Sequence, residues 1–315
     1  MSARNVLVTG GAGFIGCHMC ERLAARGDRV VVADNLLLGR REHLAMLEGG
    51  DFRFAELDVA DGAALDTLFA EERVDAVVHM AANSDIATSH ANPRVDLVNT
   101  FQTTFAVLDA MRRHGVKQIV FASTSAIYGE AKGAIPEDHG PLVPISHYGA
   151  AKLASEGFIA SFAENYGMQA WIARFPNVVG DRSTHGAIHD FARKLAATPG
   201  RLEVLGDGTQ IKPYIHADDL VDAILLAWER MDARVNIFNV GGLTRLSVRR
   251  MAEIVVEESG GNARIDYTGG DRGWIGDVPS VEYDTALIRS LGWTPRLDSE
   301  GAVRAAARWA LDHNG

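Results

Sequence analysis

Asn5-Val-Leu-Val-Thr9-Gly10-Gly-Ala-Gly13-Phe-Ile-Gly16 is the stretch whose reading decides the fold. Its first five residues are a short apolar run, the signature of a buried strand. The glycines then form a turn, and an amphipathic helix follows, ending near Gly27. In this strand, turn and helix each glycine has a task. Gly10 permits the tight turn, Gly13 lets backbone approach a pyrophosphate, and Gly16 lets the helix pack close to the strand. A diphosphate at that turn meets free N–H groups at the positive end of the helix. The next strand, 29–33, is closed by Asp34, the position for a carboxylate that bonds the hydroxyls of an adenosine ribose. Asn35 follows instead of an Arg. A carboxylate there repels a 2′-phosphate, so the pattern favours NAD over NADP.

The same rhythm continues. Strands are expected at 52–57, 76–80, 118–122 and 169–175, with helices at 63–69, 96–114 and 148–166 between them. Gly115 and Gly167 stand where helices end. Strands alternating with helices give an α/β protein with a doubly wound parallel sheet of Rossmann type. Beyond Arg174-Phe-Pro-Asn177 the rhythm breaks. Residues 178–186 have no periodicity. Helices are expected at 188–197, Ala217–Arg230, 247–260 and 300–312, and strands at 201–205, 235–240 and 263–267. The reading is a smaller mixed α/β lobe. The expected boundaries are 1–173 plus 217–240 for the dinucleotide domain and 174–216 plus 241–315 for a substrate lobe.

Composition narrows the function. With 315 residues the chain can build a large core and two lobes. A formal net charge of -10 argues against nucleic acid or anionic membrane as the main partner. No apolar run is long enough to span a bilayer, and the chain enters its first strand without a signal peptide, so the cytoplasm is expected. Cys17-His-Met-Cys20 has no second pair to complete a zinc site. Both cysteines are expected to pack in the core, and no metal is expected. His79, inside an apolar strand, is expected to be a satisfied core histidine.

The candidate chemistry lies between Phe121 and Lys152. Ser123 and Thr124 follow a strand, at the carboxyl edge where open α/β sheets bind ligands. Tyr148 and Lys152 are four apart and share one helix face. An ammonium beside a phenol lowers the phenol's pKa, so Tyr148 could take a proton from an alcohol near neutral pH. The Thr124 hydroxyl could hold the same alcohol. Ala81 and Ala82 are small enough for a flat ligand to lie on the backbone.

Thr9-Gly-Gly-Ala-Gly-Phe-Ile-Gly16, Asp34-Asn35, Asp58-Val59, His79-Met-Ala-Ala82, Asn99, Ser123-Thr-Ser-Ala-Ile-Tyr128, Tyr148-x-x-x-Lys152 and Arg174-Phe-Pro-Asn177 occur in one order. Together they resemble the extended short-chain dehydrogenase/reductase superfamily, and within it the nucleotide-sugar epimerases and dehydratases. The resemblance covers nearly the whole chain. It implies that Gly10, Gly13, Phe14, Ile15 and Gly16 hold the NAD diphosphate, Asp34 and Asn35 the adenosine ribose, and Asp58 and Val59 the adenine. Ala81, Ala82, Asn99, Ser123, Tyr148 and Lys152 complete the expected cofactor site. Thr124, Tyr148 and Lys152 are the expected catalytic residues. Ser84, Thr124, Ser125, Tyr148, Asn177, Lys212, Arg272 and Asp277 are the expected substrate contacts. Lys212 stands where many relatives carry an Arg, which keeps the charge and loses the fork geometry.

The resemblance also bears on the reaction. Sugar 4,6-dehydratases of the family carry Asp-Glu after the catalytic Thr, and here the residues are Ser125 and Ala126. What remains can oxidise an alcohol and reduce a ketone, which fits epimerisation at C4 of UDP-glucose, UDP-galactose or their N-acetyl analogues. Other reactions of the superfamily, or a non-catalytic dinucleotide sensor, are the alternatives. In the UDP-galactose 4-epimerases that the segment around Val281 resembles, a Tyr closes the pocket to a 2-acetamido group, so Val281 implies room for one. Relatives pair as homodimers through a four-helix bundle, here expected from 96–114 and 148–166, with Phe101, Phe105, Phe158 and Phe162 on their faces.

Overall fold

The computed structural model describes residues 3–84, 86–270 and 282–313, with backbone alone at 86–88. Arg272, Asp277 and Val281 lie outside the described residues. The chain divides into two compact units. The first is Met1–Ile127, Val143–Arg174 and Ile224–Phe238, and the second is Tyr128–Leu142, Phe175–Ala223 and Asn239–Gly315.

A seven-stranded sheet organises the first unit. Its order is Val235–Asn239, Gln169–Arg174, Gln118–Ala122, Ala76–His79, Asn5–Thr9, Arg29–Asp34 and Phe52–Glu56. The pairs from Gln169–Arg174 to Phe52–Glu56 are parallel. Central strands are buried on both faces, which is why they read as continuous Val, Ile and Leu runs. Phe14–Ala25, Gly62–Glu72, Thr103–His114 and His147–Tyr166 are the main helices of this unit. Asp61 caps the second of these through the N–H groups of Ala63 and Ala64, and Ser146 caps the last through Gly149. The apolar faces meet in one core that includes Leu7, Val77, Leu108, Ile119, Phe121 and Ile159.

The helix expected at 96–114 is interrupted. A short α-helical turn, Arg94–Asp96, leads into a π-helical segment, Leu97–Gln102, before the regular helix Thr103–His114. Widening a helix leaves carbonyls without their usual amide partners. Here the carbonyl of Thr100 accepts from the hydroxyls of Thr103 and Thr104, both at 2.9 Å.

In the second unit, Arg245–Ser247, Ile211–His216 and Asn177–Val179 form a three-stranded sheet, the first pair antiparallel and the second parallel. Arg201–Val204 pairs with Arg264–Tyr267, and Ala134–Ile135 pairs with Glu282–Tyr283. Helices Ala187–Ala197, Val248–Glu258 and Ser299–His313 pack a separate core around Phe191, Met251, Ile254 and Val303. Asn239 ties this unit's loops together. Its side chain accepts from the Tyr128 hydroxyl at 2.7 Å and donates to the carbonyls of Ile135 and Asp284.

Candidate active site

The Gly-rich turn is built as its sequence requires. Gly10 adopts φ +69° and donates to the Ala33 carbonyl at 2.8 Å. A Cβ on Gly16 would sit 2.1 Å from the Gly10 carbonyl oxygen, so only glycine lets the helix start this close. A Cβ on Gly13 would meet that same oxygen alone, at 3.1 Å. Phe14 and Ile15, in the first turn of the helix, are partly exposed.

Asp34 ends its strand with a buried carboxylate that accepts from the N–H of Ala12 at 3.0 Å and of Leu36 at 2.8 Å. Burial raises its pKa above the usual value, against the pull of these backbone bonds. The Gly13 N–H also bonds Asp34, and because a carboxylate has about four acceptor sites, capacity for a ribose hydroxyl remains. Asn35 is exposed, and its side chain accepts from the Leu37 N–H. Asp58 is exposed and turns its carboxylate to the Ala60 N–H, while Val59 is in the core. Ala81 and Ala82 are partly exposed where the chain leaves its strand. A Cβ on Gly10 would lie 2.7 Å from the Ala81 N, so the two strand ends approach closely at this edge.

The candidate catalytic residues meet one strand further along. Thr124 follows Gln118–Ala122, and its hydroxyl oxygen accepts from the Ala126 N–H at 3.1 Å. Thr124 and Tyr148 share a hydrogen bond between their hydroxyls. Lys152 is fully buried, donates to the Ala122 carbonyl at 2.6 Å, and sits 4.6 Å above the Phe121 ring. Its ammonium nitrogen is 5.9 Å from the centre of the Tyr148 ring.

This geometry corrects the expected electrostatics. Tyr148 was expected to have a lowered pKa, and instead it stands well above the ordinary phenol value. Desolvation is the first cause. The Thr124 hydrogen bond opposes it, and the charge of Asp96 adds to it. Although part of Tyr148 stays open to solvent, its surroundings are too apolar to favour a phenolate. Lys152 is pulled down to about 7 by burial, against the raising effects of Glu156 and Asp96. The ammonium spends its closest bond on a carbonyl, so it does little for the phenolate in this state.

The remaining expected residues fall as follows. Ser123 is buried, and its hydroxyl donates to the Glu156 carboxylate. Ser84 is exposed and Ser125 partly so. Asn99 lies in the π-helical segment, partly exposed, whereas its neighbour Thr100 is buried and accepts from the Asn83 N–H at 3.1 Å. Asn177 and Lys212 belong to the second unit, on neighbouring strands of its three-stranded sheet. His79 is the core histidine expected. Its ring nitrogens lie 2.6 Å from the Thr9 hydroxyl and 3.0 Å from that of Thr104, and burial holds it neutral with a pKa of about 3.

Sequence reasoning missed a second layer. Glu156, one turn beyond Lys152, pairs with Arg174 at 2.6 Å, both nearly fully buried. The signal was available as an acid four residues after the lysine and an arginine ending the next strand. Asp96 and Asn83 had no comparable signal. Asn83 donates to Asp96 Oδ1 at 2.9 Å, joining the loop after Ala76–His79 to the helix start.

A model of the NAD dependent epimerase/dehydratase family matches residues 6–241. A probable UDP-arabinose 4-epimerase of Arabidopsis thaliana is 34% identical, covering 98% of this chain and 81% of its own length. A crystal structure of a UDP-galactose 4-epimerase is 37% identical with a TM-score of 0.86, covering 97% of this chain and 98% of that one. The dTDP-glucose 4,6-dehydratase of Streptomyces venezuelae, solved with NAD bound, is 29% identical with a TM-score of 0.88, covering 99% and 98%.

Proposed function

The chain belongs to the NAD-dependent epimerase/dehydratase family, and on that premise we propose that it inverts C4 of a UDP-sugar through a transient 4-keto sugar. The observation that carries this reading is the Thr124, Tyr148 and Lys152 cluster followed by Ser125 and Ala126, neither of which can serve as the acid or base of an elimination.

The residues fit NAD. The turn at Gly10–Gly16 has the close backbone contacts that exclude other side chains, and its Gly13 position is nearly open. Gly10, Gly13 and Gly16 hold the diphosphate, Asp34 the ribose of the adenosine, and Lys152 the second ribose. When bound, NAD would supply the hydride acceptor and donor for C4, and its cationic ring would favour the phenolate.

The chain's own residues handle the proton and the geometry. Thr124 and Tyr148 receive the 4-hydroxyl between their own hydroxyls. Tyr148 takes its proton as C4 becomes a ketone. The keto sugar turns over about its diphosphate link. Tyr148 then returns the proton to O4 on the opposite face. Its raised pKa keeps Tyr148 protonated before a ligand arrives, so the base is made only in the loaded site.

The substrate is a UDP-hexose, its N-acetyl analogue or a UDP-pentose. Incubating the purified protein with a panel of nucleotide sugars and reading the products by NMR tests this. An equilibrium mixture of C4 epimers supports it, and a 4-keto-6-deoxy sugar would instead make the chain a dehydratase.

The protein works as a homodimer through a four-helix bundle. Leu97, Phe105, Phe158 and Tyr166 are each more than 40% exposed, on helical segments that also carry Phe101 and Phe162. Phe158 makes edge-to-face contacts with Phe101 and Phe105, so the exposed rings form one apolar face. Phe105→Glu should turn a dimer into a monomer in light scattering. Among the described residues no helix is long and apolar enough to cross a membrane. Both cysteines are buried thiols rather than a disulfide, which suits a reducing compartment, and we place the protein in the cytoplasm.

A further inference from the structure

Beyond the three reacting residues, the buried charge of Asp96 is unaccounted for. Asp96 is 1% exposed, at the start of the helical segment that packs on His147–Tyr166. Asn83 holds its Oδ1, while Oδ2 is buried without a hydrogen-bond partner among the described residues. A buried carboxylate normally fills its acceptor sites or pairs with a cation. The nearby acid that does so is Glu156, which bonds Arg174 and Ser123. The buried cations of this region, Lys152 and Arg174, are therefore matched by Glu156, which is committed to Arg174, and by Asp96, which is not.

We propose that Asp96 is a positioning residue of the reaction: together with Glu156, it is a counter-charge that holds Lys152 in its working state beside Tyr148. This inference rests on the proposed epimerase chemistry. The groups facing Lys152 are Tyr148 and Glu156 on its own helix, Asp96 from the segment packed against that helix, and His79, the Phe121 ring and the Ala122 carbonyl from the sheet. His79 is neutral and the Glu156 carboxylate is shared with Arg174, so neither replaces Asp96. The field of Asp96 raises the pKa of both Lys152 and Tyr148. Removing it lowers both, and the two limbs of a bell-shaped profile should move together.

Asp96→Asn keeps the shape of the side chain and an acceptor for Asn83. The pH profile of kcat/KM should move as a whole toward lower pH by about half a unit to one unit, with less than a tenfold loss at the optimum. A uniform fall in rate with both limbs unmoved, or no change, would overturn the proposal. If Asp96→Asn does not fold, Asp96→Ser carries the same expectation. A second readout needs no turnover. In cofactor-free protein, Lys152 titrates at about 7 against 10.5 for the free group, so stability rises with pH across that window. In the variant the onset of that rise should shift to lower pH. An unmoved onset overturns the counter-charge role even if the protein proves to run another reaction. An epimerase assay that fails in the wild type while the onset moves would instead count against the proposed function alone.

Discussion

The first unit holds buried charge at both edges of its sheet, and the two edges treat it differently. At the amino edge, Glu72 has its carboxylate only 6% exposed and accepts from Arg29 at 2.5 Å and from Arg53. Each arginine has a further acid, Asp51 for Arg29 and Glu71 for Arg53. Desolvation pushes the Glu72 pKa up, but the hydrogen bonds from the two arginines outweigh it and hold it below the usual range. At the carboxyl edge, Lys152 bonds a carbonyl, Asp96 leaves one oxygen unused, and the Tyr148 and Lys152 pKa values move against ionisation. A satisfied network stabilises one structure. An under-satisfied one holds groups near the point of gaining or losing a proton, as chemistry needs.

The difference can be broken first at Tyr148. Tyr148→Phe should lower turnover on the order of a hundredfold or more while the purified protein still carries NAD, measured by acid release and chromatography. Activity near wild type would remove the carboxyl edge from the chemistry. Lys152→Met should abolish measurable turnover and yet raise the stability of cofactor-free protein, by roughly 1–3 kcal/mol near pH 6. The sign follows from a folded pKa of about 7 below the free value of 10.5. Burial of the ammonium destabilises the fold fully below the lower value, and that penalty fades toward the higher one. The gain in melting temperature should fade likewise as pH approaches 10. Glu72→Gln is the opposite case, with turnover unchanged and stability lowered by about 1 kcal/mol at neutral pH. Because its folded pKa is depressed below 4.5, the contribution of Glu72 is present above that value and lost as pH falls through the lower one. The difference between variant and wild type should therefore vanish in acid.

What was legible in the sequence was local. The Gly10–Gly16 turn could be read because a 2.1 Å clash leaves no other residue at Gly16. Tyr148 and Lys152 could be paired because four residues are about one helical turn. The π-helical segment was not legible, because Leu97–Gln102 carries no Pro or Gly to mark the break. Spacing placed Lys152 near Tyr148, but it could not tell that the ammonium would reach the Ala122 carbonyl or that burial would set its charge. Asp96 meets Asn83 and acts on Lys152 from separate stretches of chain, a convergence that only the fold supplies. The strand Ile211–His216 was hidden by Lys212, Pro213 and His216, which leave too few apolar residues to read as a strand.

The central claim is that hydride leaves C4 and returns to C4, with the O4 proton taken and given back and no other bond to carbon in the sugar broken. UDP-glucose deuterated at C4 tests it in one NMR experiment with the purified protein. The account predicts UDP-galactose that still carries deuterium at C4, with C6 unchanged. Deuterium at C6 of a 4-keto-6-deoxy product, or its loss to solvent, would contradict it.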